Sequence, residues 1–243
     1  MNRILYILIF VFTFFNHNII NAQEVVIDTL KSDNNYIFSS EHFKNDYDKI
    51  IRLSNEYEYN HRIWSKKILD NFPLNDNGIV ELRYKIKSNR IIDIKKLMEV
   101  SADWFSYAFS SINAITKFDN EGILKGKGTY INISQYNINA IYYAKTVRIN
   151  IDVNIGIKIN DNDIDFIALV KHYQVISGDS LMNSENSLIL ISNTFPNIES
   201  DNKIAYARAF INTHANLFAL ISDYIDFINN NTNKDKNDLN FIW

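Results

Sequence analysis

The chain has no cysteine, six glycines, two prolines and no surplus of either charge: 25 Lys and Arg stand against 28 Asp and Glu in 243 residues. Without cysteine there is no disulfide, so the fold must hold by packing alone. A lipid-modified cysteine anchor is excluded for the same reason. The formal net charge is −3. A weakly acidic chain argues against a phosphate-backbone partner, which requires a basic face, so no nucleic-acid partner is expected. Long apolar runs are also missing. The longest, Ile4–Phe15, is interrupted only by Thr13 and falls short of the roughly 20 residues that cross a bilayer.

That run follows Arg3 and leads to Ile20-Asn21-Ala22. A charged start, a short apolar middle and a small residue at the end read as a secretory signal over residues 1–22, cut after Ala22. Export to the periplasm or the extracellular space is therefore expected, with no membrane span after cleavage. Losing Arg3 takes the formal charge from −3 to −4. What remains is one domain's worth of chain, large enough to bury roughly 70% of its unfolded surface.

Residues 23–40 are polar apart from a β-like run, Glu24-Val25-Val26-Ile27. In 41–70, Phe43, Tyr47, Ile50, Ile51 and Tyr57 recur at helical spacing, with Ser39 or Ser40 as cap. Ile63, Trp64, Ile68 and Leu69 continue the helix, which stops near Phe72-Pro73. Asp76-Asn77-Gly78 is a turn. Val80, Leu82, Tyr84 and Ile86 then alternate with Glu81, Arg83 and Lys85, as in a half-buried strand. Ser88 or Asn89 can cap a helix carrying the stripe Ile94, Leu97, Met98, Trp104, Ala108 and Ile112. Strands are expected over 114–118 and 123–134, a loop over 135–145, and strands over 146–159 and 164–176. The last two are joined by a hairpin turn at Asn160–Asp163. Residues 177–200 read as loop with a short edge strand at Leu188–Ile191. A helix capped by Asp201 or Asn202 buries Ile204, Ala207, Ile211, Ala215, Phe218, Ile225 and Ile228, and Asn229–Asp238 is a solvated tail.

The order β-α-β-β-β-β-α implies an α+β fold, an antiparallel sheet with helices on one face. The expected domains are a signal peptide (1–22), an N-terminal arm with helices (23–75), the α+β domain (76–230) and a polar C-terminal tail (231–243). Gly122, Gly126 and Gly128 supply half of the chain's glycines within seven residues. Gly126 and Gly128 share one strand face, where a glycine marks a bulge or a close approach. The reading is that the helix bearing Trp104 crosses the sheet over them.

The residues Asp103-Trp104-Phe105, Phe118-Asp119, Gly122-Ile123 and Gly126-Lys127-Gly128 resemble a domain family of unknown function found in secreted Bacteroidetes proteins. The resemblance covers about residues 78–176. It implies a fold like that of TATA-binding protein, and no catalytic residues come with it. Likeness of fold does not carry DNA binding. The chain departs from the family at Asn160-Asp161-Asn162-Asp163, where an Asp-Gly-type turn is expected.

The sites that carry chemistry elsewhere are incomplete here. Lys125-Gly126-Lys127-Gly128 lacks the spacing of a phosphate loop and continues as a strand. Asp161, Asp163 and Asp165 alternate as calcium ligands can, but Phe166 and His172 stand where the loop needs glycine and glutamate. His42, His61, His172 and His214 show no metal-ligand spacing. No cofactor and no metal is expected, and an enzyme ranks behind a binding role. Tyr136, Tyr142 and Tyr143 cluster in the expected 135–145 loop. They read either as a contact surface or as cover for the sheet. The function expected is a non-enzymatic interaction domain of the bacterial envelope. The alternative is a small-ligand binder using the open sheet face or a cleft beside the N-terminal helices. The structural residues are Trp104, Gly122, Gly126 and Gly128, and the partner is an unidentified protein or small molecule.

Overall fold

A computed structural model describes residues 35–57, 61–109, 114–118, 122–140, 143–179, 184–194 and 203–233. The signal region, the 24–27 run, Ile112 and the Asp201 or Asn202 cap lie outside the described residues. The chain divides into two units, Met1–Asn35 and Tyr36–Trp243, and the second is described here.

Its elements are β1 (Phe38–Ser39), α1 (Glu41–Tyr57), α2 (His61–Asn71), β2 (Val80–Ser88), α3 (Ile94–Phe109), β3 (Ile115–Phe118), β4 (Ile123–Ala140), β5 (Tyr143–Ile159), β6 (Asp163–Val170), β7 (His172–Asp179), β8 (Ser184–Leu190), a 3-10 turn at Ile191–Asn193, and α4 (Lys203–Asn231). Among the described residues the strands form one eight-stranded sheet with a path β1-β2-β6-β5-β4-β3, and β7 and β8 branch from β5. Every pairing is antiparallel. The α+β class is thus realised as an antiparallel sheet with helices.

β5 organises the sheet. Seven inward residues, Val147, Ile149, Ile151, Val153, Ile155, Ile157 and Ile159, are all buried, as strict alternation demands of a strand with one covered face. One edge of β5 pairs with β4. The other pairs with β6 over Asn154–Ile159 and with β7 over Lys145–Ile151. The stretch expected as a single strand over 164–176 is therefore two. Lys171 separates them, and the β5 register shifts across it. One wing runs on through β6 to β2 and β1, the other through β7 to β8.

Several boundaries differ from the sequence reading. The expected 135–145 loop is strand: β4 runs to Ala140 and β5 starts at Tyr143. A register shift between Tyr130 and Ser134 lets β4 continue. There Asn132 takes φ 54°, and its N–H donates to Asn150 Oδ1 at 2.8 Å. That bond accounts for a buried asparagine on the polar side of β5. In the stretch read as loop over 177–200, β7 reaches Asp179 and β8 starts at Ser184. The first helix of the α+β region is capped by Asp93, not by Ser88 or Asn89. Asp93 Oδ1 accepts the Lys96 N–H at 3.0 Å, while Ser88 Oγ accepts Arg90 N–H in the preceding turn. In α1, Ile51 is exposed and Leu53 takes the buried place. Ile51 follows Ile50 by about 100° of helical turn and leaves the inward stripe.

The core lies between the sheet and α3 and α4. Trp104 is fully buried and meets Phe105, Phe109, Phe166 and Tyr224 edge-on. Its Nε1–H donates to Asp223 Oδ2 at 2.8 Å, the partner a buried indole needs. The Ser101 and Tyr224 hydroxyls lie 2.9 Å apart between the same two helices. α1 and α2 belong to this unit rather than to a separate arm. Phe43 packs on Tyr84 and Phe218, and Phe72 packs on Phe218 and His214.

Helix α3 does cross β4 at the glycines. A Cβ on Gly126 would collide with the Phe105 ring, and one on Gly128 with the Phe109 ring. Gly122 takes φ 79°, and its carbonyl accepts the Ile159 N–H at 2.8 Å.

Candidate functional site

Strand β2 is paired along its whole length on one side and along almost none on the other. Towards β6 the register runs from Val80 opposite Val170 to Lys87 opposite Asp163. Towards β1 it covers only Phe38 opposite Ser88 and Ser39 opposite Lys87. The cause is local. Ser40 turns the chain out of the sheet, and its carbonyl accepts Lys44 N–H at 3.2 Å as α1 begins.

Which backbone groups this leaves outward follows from two bonds. Ser88 N–H donates to Asn162 O, towards β6, and Asn89 N–H donates to Ile37 O, towards β1. Antiparallel strands alternate in this respect, so Glu81, Arg83 and Lys85 turn their N–H and C=O groups to the side that β1 has left. No described strand pairs with that side. At the far end the ladder is closed. Asn75 accepts Ile79 N–H on its side chain at 3.0 Å, and its own N–H donates to Ile79 O at 3.0 Å. Among the described residues, three positions of open edge remain.

A groove of about 390 Å3 lies along this edge, walled by Ser40, His42 and Asp46 and floored by Glu81 to Lys85. Tyr84 O–H donates to Asp46 Oδ2 at 2.8 Å and ties α1 to β2. Burial first, then that bond, pushes the Tyr84 phenol up from its ordinary range. The charged side chains of the edge are fixed along the sheet. Lys85 Nζ lies 3.0 Å from Asp163 and 3.1 Å from Asp165, and these bonds raise its pKa. Glu81 accepts Asn75 Nδ2 at 2.8 Å and Arg83 at 3.0 Å, and the two bonds, that to Asn75 first, lower its pKa. These contacts order the wall of the groove and leave the backbone edge open.

The strand that does occupy the neighbouring edge shows how the protein holds an extended chain. Asn229 Oδ1 accepts Phe38 N–H at 2.8 Å and Asn229 Nδ2 donates to Phe38 O at 2.9 Å. One turn on, Asn233 Oδ1 accepts Tyr36 N–H at 2.7 Å and Nδ2 donates to Tyr36 O at 2.9 Å. Asparagines four apart share a helix face, while Tyr36 and Phe38, two apart, share a strand side. Asn229 and Asn233, expected at the start of a solvated tail, thus form a backbone clamp; residues 234–238 of that expected tail lie outside the described residues.

The residues singled out in the sequence lie elsewhere. Tyr136 is on β4 opposite Val147, half-buried against the core. Tyr143 opens β5, and Tyr142 lies outside the described residues. The loop expected to present them is a strand pair, because the alternating residues on each side of it extend the ladder. Asp163 and Asp165 converge on Lys85, and Asn160 Nδ2 also donates to Asp163 at 2.7 Å. His214 is buried, with Nδ1 at 2.9 Å from Phe210 O. The open edge went unseen in the sequence. The alternation of 80–87 shows a strand but not which side lacks a neighbour.

No family model and no curated protein matches the chain. Similar solved structures include a TBP-like protein from Parabacteroides distasonis, 13% identical with a TM-score of 0.37 over 62% of this chain and 95% of that one. Another is a DUF4468 family protein from Bacteroides ovatus, 11% identical with a TM-score of 0.37 over 64% and 94%.

Proposed function

We propose that this chain is an exported, non-enzymatic binding domain of the bacterial envelope that recruits a protein partner by taking one of its extended strands onto the edge of β2. The observation that carries the reading is the outward row of N–H and C=O groups at Glu81, Arg83 and Lys85 beside a groove of about 390 Å3. An unpaired edge is a template for another strand. Strand addition draws affinity from main-chain hydrogen bonds and specificity from alternate side chains. The export half rests on the charged start, short apolar run and Ala22 of residues 1–22.

A small-molecule ligand in the same groove is the second reading. Its volume is within the range of small-ligand sites, about 300–1,000 Å3, although such sites are mostly apolar and this one is lined largely by polar and charged residues. One experiment separates the two. A library of extended heptapeptides is screened against the pure chain, with Arg83→Pro as comparison. Strand addition predicts peptide binders that weaken about tenfold in Arg83→Pro, which removes an edge donor. Peptides that bind Arg83→Pro as well as the parent would contradict it, and so would an absence of peptide binders.

A further inference from the structure

We infer that the strand received at this edge carries a lysine or arginine opposite Tyr84, and that Asp46 of α1 selects it. The inference rests on the strand-addition reading above and adds the chemical class of the guest.

The direction of the guest's side chains follows from β2. Residues directly opposite one another on paired strands point to the same face of a sheet. Guest residues opposite Glu81, Arg83 and Lys85 turn to the outer face. Those opposite Leu82 and Tyr84 turn to the helix face, where Tyr84 packs on Phe43 and Phe218. Glu81, Arg83 and Lys85 hold the outward N–H and C=O groups, so Leu82 and Tyr84 meet the guest as non-hydrogen-bonded pairs. In such pairs the side chains approach more closely.

The two faces differ in charge. On the outer face the ions of the groove are already matched, Arg83 with Glu81 and Lys85 with Asp163 and Asp165. On the helix face Asp46 stands in the groove wall. Among the described residues its carboxylate meets the Tyr84 hydroxyl, through Oδ2 at 2.8 Å, and no cation. Lys49, three residues further along α1, lies over the Phe72 ring instead. The unbalanced charge of the groove is therefore negative and sits at Asp46, beside the guest residue that pairs with Tyr84.

Reach decides the residue type. The Tyr84 hydroxyl touches Asp46, so a guest side chain of similar length lying beside the tyrosine brings its tip to the same carboxylate. Lysine and arginine are that long. Their apolar stems can lie along the ring while the charged head meets Oδ1, the oxygen that the phenol leaves. Serine or alanine stops short, glutamine reaches without charge, and glutamate is repelled.

The test uses extended heptapeptides capped at both ends, selected on the pure chain. The strongest binder is then remade with glutamine in place of its lysine or arginine. The expected binders carry a cation at one alternate position, and glutamine weakens binding about fivefold, the upper range for a partly exposed ion pair. The same penalty is expected in Asp48→Asn, which removes an exposed charge of α1 outside the groove. It should vanish in Asp46→Asn, which keeps an acceptor for Tyr84. A further measurement depends on no variant: on the parent chain the penalty should shrink as sodium chloride rises from about 50 mM to about 500 mM. Binders without a cation, a penalty that persists in Asp46→Asn, one that vanishes equally in Asp48→Asn, or one indifferent to salt overturns the inference. If such binders still weaken in Arg83→Pro, the edge stands as a strand site without this selectivity. An absence of peptide binders, or equal binding to Arg83→Pro, removes both readings.

Discussion

Asn229 and Phe38, 191 residues apart, are joined by two hydrogen bonds: the side-chain amide receives the Phe38 N–H at 2.8 Å and gives to its carbonyl at 2.9 Å. A single side chain thus satisfies both main-chain groups of one residue, and Asn233 does the same for Tyr36. The contact fixes the end of α4 to the first strand of the sheet.

The clamp predicts a stability cost. Each bond contributes a net of about 1 kcal/mol, so Asn229→Ala should cost about 2 kcal/mol and Asn229→Ala with Asn233→Ala about 4, read by urea denaturation. Asn229→Asp keeps the acceptor and loses the donor, and should cost less than alanine. Equal stability in all three would remove the clamp from the account.

Gly128 predicts a steric effect of definite location. Its Cβ position is filled by the Phe109 ring, whereas a Cβ on Gly156 meets open space. Gly128→Ala should destabilise by about 1–3 kcal/mol, the usual cost of overpacking. Gly156→Ala should be neutral or stabilising by up to about 1 kcal/mol. Gly128→Ala with Phe109→Leu should recover part of the loss if the ring is the obstacle. Thermal midpoints of the four proteins check this.

His214 predicts a pH dependence. Burial holds its pKa down, to about 4, against hydrogen bonds to the backbone at Phe210 and Phe72 that act in the opposite sense. The folded state therefore keeps the ring neutral where the unfolded state, near 6.5, takes up a proton. Its contribution is fully present above about pH 6.5 and is lost as the pH falls to about 4, on the order of 3 kcal/mol over that window. His214→Gln should flatten the stability curve between those values by close to one proton. An unchanged slope would show that the ring titrates normally in the fold.

Periodic elements could be read from residues alone, and pairings could not. The seven alternating β-branched residues of β5 and the glycines beneath α3 announce themselves because a buried face and a close crossing each leave a local pattern. The 135–145 stretch did not. Its strands are recognisable through pairing with each other, Tyr136 with Val147 and Ala140 with Tyr143, and a polar alternation in isolation looks like loop. The split at Lys171 depends on which strand lies beside β5, a long-range fact. The site is the hardest case. Asn229 and Asn233 look like solvated tail residues until Tyr36 and Phe38 are brought to them, and the open edge is defined by a neighbour that leaves.

The most direct test of the strand site is residue-resolved amide exchange along β2 in the dilute chain and in the chain with a bound extended peptide. The account predicts an alternation in the free protein, with Glu81, Arg83 and Lys85 exchanging fast and Leu82, Tyr84 and Ile86 slowly, and protection of the first three on binding. Slow exchange at Glu81, Arg83 and Lys85 in the dilute monomer, or fast exchange there under every extended peptide, would contradict it.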